Sequence, residues 1–91
     1  MATFVPDIAI ALCTLDRGPA IETTVASLLD QDLPRERFEL LLIDNDSRPE
    51  NADLLRAIAG REAPTVRYVH EPVRGLSAAR NRGIAETGAH P

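Results

Sequence analysis

Aromatic residues are almost missing from this 91-residue chain, which has no Trp, one Tyr and two Phe. Because hydrophobic residues still supply 44% of the sequence, a core has to be built from Leu, Ile, Val and Ala. Charged residues supply 26%, which is typical of a folded, soluble domain and not of a disordered segment. At this length we expect residues 1–91 to form one compact unit or part of one.

Lysine is absent, so all ten basic side chains apart from histidine are arginines. The 14 acidic residues outnumber them, and the net charge of −4 argues against nucleic acid as a partner, since phosphate backbones need clustered cations. Four arginines nevertheless fall in one C-terminal stretch, at Arg67, Arg74, Arg80 and Arg82. A guanidinium can hold a phosphate or diphosphate through two hydrogen bonds, although exposed helix faces also collect arginine.

Cysteine and long apolar runs are equally scarce. The single Cys13 excludes an internal disulfide, and its place in an apolar run predicts a small buried residue without chemistry. No apolar stretch approaches the roughly 20 residues of a membrane span, and no basic-then-apolar leader opens the chain. We therefore expect no membrane segment in this chain and a cytoplasmic location.

Strand and helix patterns alternate three times along the sequence. Apolar residues run almost without interruption through residues 7–14 and 38–43, as expected of strands covered on both faces. Residues 65–70 alternate between apolar and polar, which predicts a third strand nearer the edge of a sheet. Alternating strands and helices with short connections imply an α/β fold with a parallel sheet and right-handed crossovers.

An amphipathic helix is predicted after each strand. The first spans residues 19–31, and the second spans residues 50–59 with Gly60 as its C-terminal stop. The third spans residues 76–86 and is closed by Gly88. The residues predicted for its inner face, which allow close approach to a sheet, are Leu76, Ala79 or Ala78, Gly83 and Ile84.

The most informative feature is the polar segment that ends the second strand, Asp44-Asn45-Asp46-Ser47. Parallel strands bring their carboxyl ends to one edge, where open α/β folds bind ligands. The same residue types also suit a strand-to-helix turn and a helix cap, so a purely structural interpretation stays open. The other two strand-to-helix loops add to this edge Thr14, Asp16, Arg17, Arg74, Gly75 and Arg80. Acceptors for a base and ribose, together with arginines for phosphate, predict a nucleotide pocket in outline.

Four segments resemble glycosyltransferase family 2 in their order and spacing. They are Cys13-Thr14-Leu15-Asp16-Arg17, Ser27-Leu28-Leu29-Asp30-Gln31, Ile43-Asp44-Asn45-Asp46-Ser47 and Gly75-Leu76-Ser77-Ala78-Ala79-Arg80-Asn81-Arg82-Gly83. The resemblance covers nearly the whole chain and implies the N-terminal, Rossmann-like βαβαβα half of a GT-A fold, with a parallel three-stranded sheet and helices on its faces. It also implies transfer of a sugar from a nucleotide-diphosphate donor to an acceptor, with a divalent metal, Mg²⁺ or Mn²⁺.

The resemblance further implies which residues contact the nucleotide. They are Thr14, Asp16, Arg17, Asp44, Asn45, Asp46, Gly75 and Arg80. Contacts to the base or ribose come from the end of the second strand, where the family commonly has two adjacent acids and this chain has Asp44 and Asn45. Because an amide both donates and accepts, we expect Asn45 to alter base choice and not to abolish the pocket.

In this family a metal-binding Asp-x-Asp motif follows about one strand after the segment that Gly75–Gly83 resembles, and the general base lies later still; the sequence ends before either position. We therefore expect no catalytic residue and no metal ligand in this chain, which is interpreted as an incomplete domain, inactive alone. The complete enzyme is expected in the cytoplasm or at the cytoplasmic face of the membrane. An exposed edge of the first strand predicts that the isolated chain is marginally stable or self-associates.

Two other classes of function stay open. A non-catalytic interaction or regulatory fragment could keep the same half-fold without turnover. Asp44-x-Asp46-Ser47 also resembles a phosphatase loop whose first Asp is a nucleophile, although that chemistry needs a Lys and the chain has none. A dinucleotide dehydrogenase is disfavoured because no Gly-x-Gly-x-x-Gly follows the first strand.

Overall fold

The computed structural model describes residues 6–30 and 32–86, and within them three strands alternate with three helices. The elements are β1 (Ile8–Thr14), α1 (Ala20–Leu29), a 3₁₀ turn (Arg35–Arg37), β2 (Phe38–Asp44), α2 (Pro49–Arg61), β3 (Val66–His70) and α3 (Leu76–Glu86). The strands pair in parallel in the order β1-β2-β3, which confirms the predicted α/β fold and its three-stranded parallel sheet. The predicted helix ends at Gln31 and Gly88 lie outside the described residues.

β2 forms the centre of the sheet and is covered on both faces. Its four apolar residues from Leu40 to Ile43 are all completely buried. Because strand side chains alternate, Leu40 and Leu42 pack against α1 and α2, whereas Leu41 and Ile43 face α3. The uninterrupted apolar run of this strand is thus explained by two cores, one on each side of the sheet.

The helices divide between the two faces as the order of the strands requires. The crossovers from β1 to β2 and from β2 to β3 advance in the same direction, and connections of one hand then place α1 and α2 on the same face. α3 lies on the opposite face, where it packs back across β2 onto β1. None of the helices in the described ranges combines the length and the apolar character that a membrane crossing requires.

The buried face of α3 is narrower than the sequence predicts. Ala79 and Gly83 are buried, but Leu76 and Ile84 are 57% and 65% exposed, so the prediction for those two residues is wrong. A methyl group on Gly83 would lie 3.0 Å from the Cβ of Ala11. The small residues let α3 approach β1 closely, and the larger Leu76 and Ile84 line an open groove beside this strand.

The prediction that Gly60 stops the second helix is also wrong, because α2 continues to Arg61. Gly60 does not take the left-handed conformation with which glycine ends helices. Arg61 in the last turn suits the helix dipole, and its guanidinium donates to Glu22 at 2.8 Å and to Glu62 at 3.0 Å. The turn closes where the N–H of Glu62 donates to the carbonyl of Ile58 at 3.0 Å.

Two glycine-to-alanine substitutions test the close packing of α3. Gly60→Ala fills open space inside a helix, so we expect it to raise the free energy of unfolding by about 0.5–1 kcal/mol. Gly83→Ala gains the same helix propensity but crowds Ala11, so we expect a net loss of about 1 kcal/mol. Urea denaturation of both variants measures the difference, and equal stabilisation by the two would contradict the described contact between α3 and β1.

Candidate functional site at the carboxyl edge of the sheet

The three strands end at one level, which brings the loops that follow them together. Thr14 is in register with Asp44, and Asp44 with His70. The loops that leave this edge are called the first, second and third connections and comprise residues 15–19, 45–48 and 71–75. The parallel sheet therefore places all three connections at its carboxyl edge, as the sequence predicts.

Asp16 ties the first connection to the start of α2. Its Oδ1 accepts from the backbone N–H of Arg48 at 2.8 Å and from Nδ2 of Asn51 at 3.2 Å. Its own N–H donates to Oγ of Ser47 at 3.0 Å, and the N–H of Gly18 donates to Oδ1 of Asn51 at 2.8 Å. A carboxylate beside free N–H groups at a helix start is electrostatically favourable. Asp16 thus caps a helix more than 30 residues further along the chain.

Asp44 is buried, and both of its carboxylate oxygens bond inside the protein. Oδ1 accepts from the N–H of Ser47 at 2.9 Å, and Oδ2 accepts from the Tyr68 hydroxyl at 2.6 Å. Burial alone raises the pKa of Asp44, but hydrogen bonds from Ser47 and Tyr68 outweigh it and hold the pKa below its usual value. At 1% exposure the carboxylate has no open path to a substrate, which argues against a phosphatase nucleophile.

Asn45 links β1 and the third connection. Its backbone N–H donates to the carbonyl of Thr14 at 2.8 Å, which extends the β1–β2 ladder by one bond. Its side-chain Nδ2 donates to the carbonyls of Glu71 at 3.3 Å and Val73 at 2.8 Å, and its Oδ1 accepts from the N–H of Gly75 at 2.9 Å. The amide therefore fastens three points of the third connection to the end of β2.

Asp46 lies further out and forms a charged cluster with the third connection. Its side chain is 47% exposed, and its Oδ1 lies 3.3 Å from Nε2 of His70. Nε of Arg74 lies 3.7 Å from Oδ2, and Nη2 of Arg74 donates to the Asp46 carbonyl at 3.1 Å. The backbone of Asp46 takes the left-handed conformation, with φ of 68°. Asp46 is thus open to solvent but is already paired with a cation.

Most of the arginines are neutralised by acids. Eight of the ten form ion pairs, namely Arg35, Arg37, Arg48, Arg56, Arg61, Arg67, Arg74 and Arg82. The other two are Arg17 in the first connection and Arg80 in α3, whose guanidinium groups bond to no residue in the ranges 6–30 and 32–86. Both are exposed, and both belong to the nucleotide-contacting residues that the sequence predicts. Their charges remain available for an anion.

A cavity of about 250 Å³ lies between β1, β2 and the start of α3. Its lining residues are Cys13, Thr14, Leu15, Asn45, Gly75, Leu76 and Ala79. A larger groove of about 610 Å³ adjoins it along β1 and is lined by Ala9, Ala11, Cys13, Leu76, Arg80, Gly83 and Ile84. Since ligand pockets usually measure about 300–1,000 Å³, the smaller cavity reaches the size of a typical ligand pocket only together with this groove.

The predicted site residues separate into two groups in the structure. Thr14, Asn45 and Gly75 line the smaller cavity, and Arg80 lines the groove beside it. Asp16, Arg17, Asp44 and Asp46 line neither space. Among these four, only the guanidinium of Arg17 is without an internal partner in the described ranges. The common edge thus holds all eight residues, but only part of the set faces its two open spaces.

A third cavity, of about 310 Å³, lies at the opposite, amino edge of the sheet. Its lining includes Glu22, Arg35, Arg61 and Glu62. These charges pair with one another, with Arg35 to Glu62 at 2.7 Å and Arg61 to Glu22 at 2.8 Å. Because its charges are already balanced, this cavity is a weaker candidate for an anionic ligand.

The acids at the carboxyl edge do not assemble a metal site. Within the described part of the chain, no group of three or more His, Cys, Asp or Glu side chains could hold a metal ion. Asp16 and Asp44 direct their oxygens to backbone and side-chain donors, and Asp46 faces His70 and Arg74. A divalent cation needs several convergent oxygen ligands, so these residues do not fit one.

Three residues that form hydrogen bonds at the carboxyl edge are not among the predicted site residues. Tyr68 donates to Asp44, and Asn51 accepts from the N–H of Gly18 in the first connection. Glu71 is 8% exposed and accepts from the N–H of Val73 at 2.8 Å and from Nε of Arg82 at 3.0 Å. These hydrogen bonds hold the pKa of Glu71 below its usual value. For Tyr68 and Glu71 the available signal is a polar residue in a strand or just after it, whereas Asn51 lies in the first turn of α2.

Comparisons with known proteins give consistent matches. The family model described as glycosyl transferase family 2 matches residues 9–89. The succinoglycan biosynthesis protein ExoM of Rhizobium meliloti (strain 1021) is 33% identical over 75 residues, which cover 81% of this chain and 24% of that protein. The mannosyltransferase PcManGT from Pyrobaculum calidifontis, solved in complex with GDP-Man and Mn²⁺, superposes with a TM-score of 0.78 at 24% identity. That match covers 92% of this chain and 25% of PcManGT, so the chain spans about a quarter of either protein.

The Tyr68–Asp44 hydrogen bond can be tested by titration, because Tyr68 is the single tyrosine and no tryptophan interferes. Burial and the Asp44 carboxylate raise the pKa of Tyr68 from 10.0 to about 12. Its folded-state pKa lies above the unfolded value, so its stabilising effect is complete below pH 10.0 and is lost as the pH rises towards about 12.

At pH 10 we expect ultraviolet absorbance to detect almost no phenolate in the folded chain and about half ionisation in concentrated urea. Asp44→Asn should lower the pKa of the folded phenol. A folded phenol that titrates like the unfolded one would contradict the described hydrogen bond.

Proposed function

Because the chain belongs to glycosyl transferase family 2, we propose that it forms the nucleotide-binding part of a glycosyltransferase that uses a nucleoside-diphosphate sugar. The observation that carries the proposal is the convergence of all three connections around one cavity, which is lined by Leu15 of the first, Asn45 of the second and Gly75 of the third, together with Thr14 at the end of β1. The GDP-Man in the solved complex of PcManGT supports a donor of this chemical class. The base and ribose would occupy the cavity, with the diphosphate extending into the groove along β1.

The charges around the groove support a diphosphate as the part of the ligand held there. Arg80 lines the groove and has no acidic partner within the described ranges; Arg17, in the first connection outside the groove lining, has none either, whereas the other eight arginines do. The first turn of α3 adds backbone N–H groups that have no acceptor inside the helix, and Leu76 in this turn lines both spaces. A helix start with nearby guanidinium groups favours an anion.

Transfer itself is assigned to the complete enzyme. Among the described residues, no group of His, Cys, Asp and Glu side chains could hold a metal ion. The Mn²⁺ in the PcManGT complex supports a divalent metal in the complete enzyme, with ligands outside the described residues. The chain alone is therefore expected to bind a donor nucleotide without transferring its sugar.

Titration calorimetry with UDP and GDP tests this proposal on the isolated chain. We expect Arg80→Ala and Arg17→Ala each to weaken the binding of at least one nucleotide by about tenfold or more, because each removes a charge-assisted hydrogen bond. Arg37→Ala removes the same charge at the amino edge, where Arg37 pairs with Asp7, and should leave the affinity unchanged.

The outcomes of this titration separate the functional classes. Binding that is lost with Arg80 and kept without Arg37 supports the nucleotide site. Absence of binding by the wild-type chain, or an equal loss in all three variants, would overturn it. Addition of UDP- and GDP-sugars with Mn²⁺ should give no transfer by the chain alone.

We also propose that the isolated chain self-associates through the free edge of β1. In the described part of the chain β1 pairs only with β2, and the strand has no charged residue. Ile8 is 47% exposed, and the neighbouring groove leaves Leu76 exposed as well. β3, at the other edge, has Arg67 and His70, which make that edge less suitable for pairing.

Analytical ultracentrifugation over a range of concentrations measures this association. We expect the wild-type chain to shift from monomer towards larger species as its concentration rises. Ile8→Lys should reduce the shift, since a charged side chain disfavours edge-to-edge pairing. The matched control is Leu33→Lys, which adds the same charge at another exposed hydrophobic residue, and it should behave like the wild type. A strictly monomeric wild-type chain would rule out the proposal.

A further inference from the structure

We propose that Asn45 is a positioning residue for the nucleotide pocket, which holds the third connection in place and does not itself select the base. The inference rests on the proposed function and differs from the role that the family resemblance implies for this position. Its basis is the set of three side-chain hydrogen bonds from Asn45 to the backbone of the third connection.

The hydrogen-bonding capacity of the Asn45 amide leaves no donor for a base. Nδ2 has two N–H groups, and the carbonyls of Glu71 and Val73 lie 3.3 and 2.8 Å away. Oδ1 accepts from the N–H of Gly75. Carbonyls can only accept and an N–H can only donate, so these partners fix the orientation of the amide. With the residue 6% exposed, both donors and one acceptor site are spent inside the protein.

The bonds of Asn45 act where the third connection borders the pocket. Gly75 lines the cavity together with Asn45. Its backbone φ of 131° lies in a region that residues with a side chain rarely adopt. The N–H of Gly75 points to Asn45, and its carbonyl accepts from the N–H of Ala79 to begin α3. Asn45 therefore sets the position of Gly75 and, through it, the start of the helix that carries Arg80.

An aspartate at this position could not make the same set of bonds. A carboxylate accepts from Gly75 but has no donor for the carbonyls of Glu71 and Val73, and it would face them with a negative charge. The carboxylate of Glu71, held by Val73 and Arg82, lies in the same connection. Of these two side chains of similar size, only the amide can therefore hold the third connection against the end of β2.

Hydrogen exchange followed by NMR, combined with calorimetry, tests the inference on the described chain. Asn45→Asp preserves the size of the side chain and removes both donors. We expect amide exchange in the third connection to rise by about tenfold or more, and the affinities for UDP and GDP to fall by a common factor, so that their ratio stays unchanged. Asn45→Ala, which adds no charge, should act in the same direction if the aspartate variant fails to fold.

Asn81→Asp is the matched control, because it makes the same chemical change at an exposed residue of α3. It should leave exchange in the third connection at the wild-type rate. Spectra of β2 and α2 recorded below the unfolding temperature show whether the variants keep the fold.

Each outcome decides between roles of Asn45. A changed ratio of UDP to GDP affinity with unchanged exchange would overturn the inference and assign base recognition to Asn45. Faster exchange with unchanged affinities would make Asn45 structural only and would also overturn it. If the wild-type chain binds neither nucleotide, the proposed function fails, and the exchange data still report separately whether Asn45 holds the connection.

Discussion

The structure of the carboxyl edge depends on one constraint: the buried polar residues that end β2 need hydrogen-bond partners. β2 is covered on both faces, so Asp44 and Asn45 at its end must find hydrogen-bond partners inside the protein. Asp44 finds them in Ser47 and Tyr68, and Asn45 finds them in the third connection. The residues that suggest a ligand site in the sequence therefore act first as bonds between loops.

The side chains at the carboxyl edge therefore form two groups with different roles, an inner and an outer one. Inner side chains such as Asp16, Asp44 and Asn45 fix the backbone of the three connections before any ligand arrives. Outer side chains, Arg17 and Arg80, keep charges that no residue in the described ranges neutralises. A pocket whose loops are already ordered loses less conformational entropy on binding, so its few charged contacts contribute more to affinity.

Patterns of neighbouring residues predict the strands and helices well. The predictions that are wrong concern features that depend on residues distant in the sequence. The apolar run of β2 and the alternation in β3 predict both strands, and the helix between them predicts their parallel pairing. α2 continues past Gly60 to Arg61, whose guanidinium pairs with Glu22 in another helix. Exposure of Leu76 follows from the close approach of Gly83 to β1, and the partners of Asp16 lie more than 30 residues away. No local pattern contains that information.

The central claim is that the three connections, bonded to one another, bind a nucleotide at the carboxyl edge. The most direct test is an NMR map of amide chemical shifts as UDP or GDP is added to the isotopically labelled chain. We expect the changes to concentrate in residues 14–18, 45–48 and 73–80, together and at the same nucleotide concentrations, because the connections are bonded to one another. Shifts centred on Arg35, Arg61 and Glu62 at the amino edge, or no saturable shifts, would contradict it.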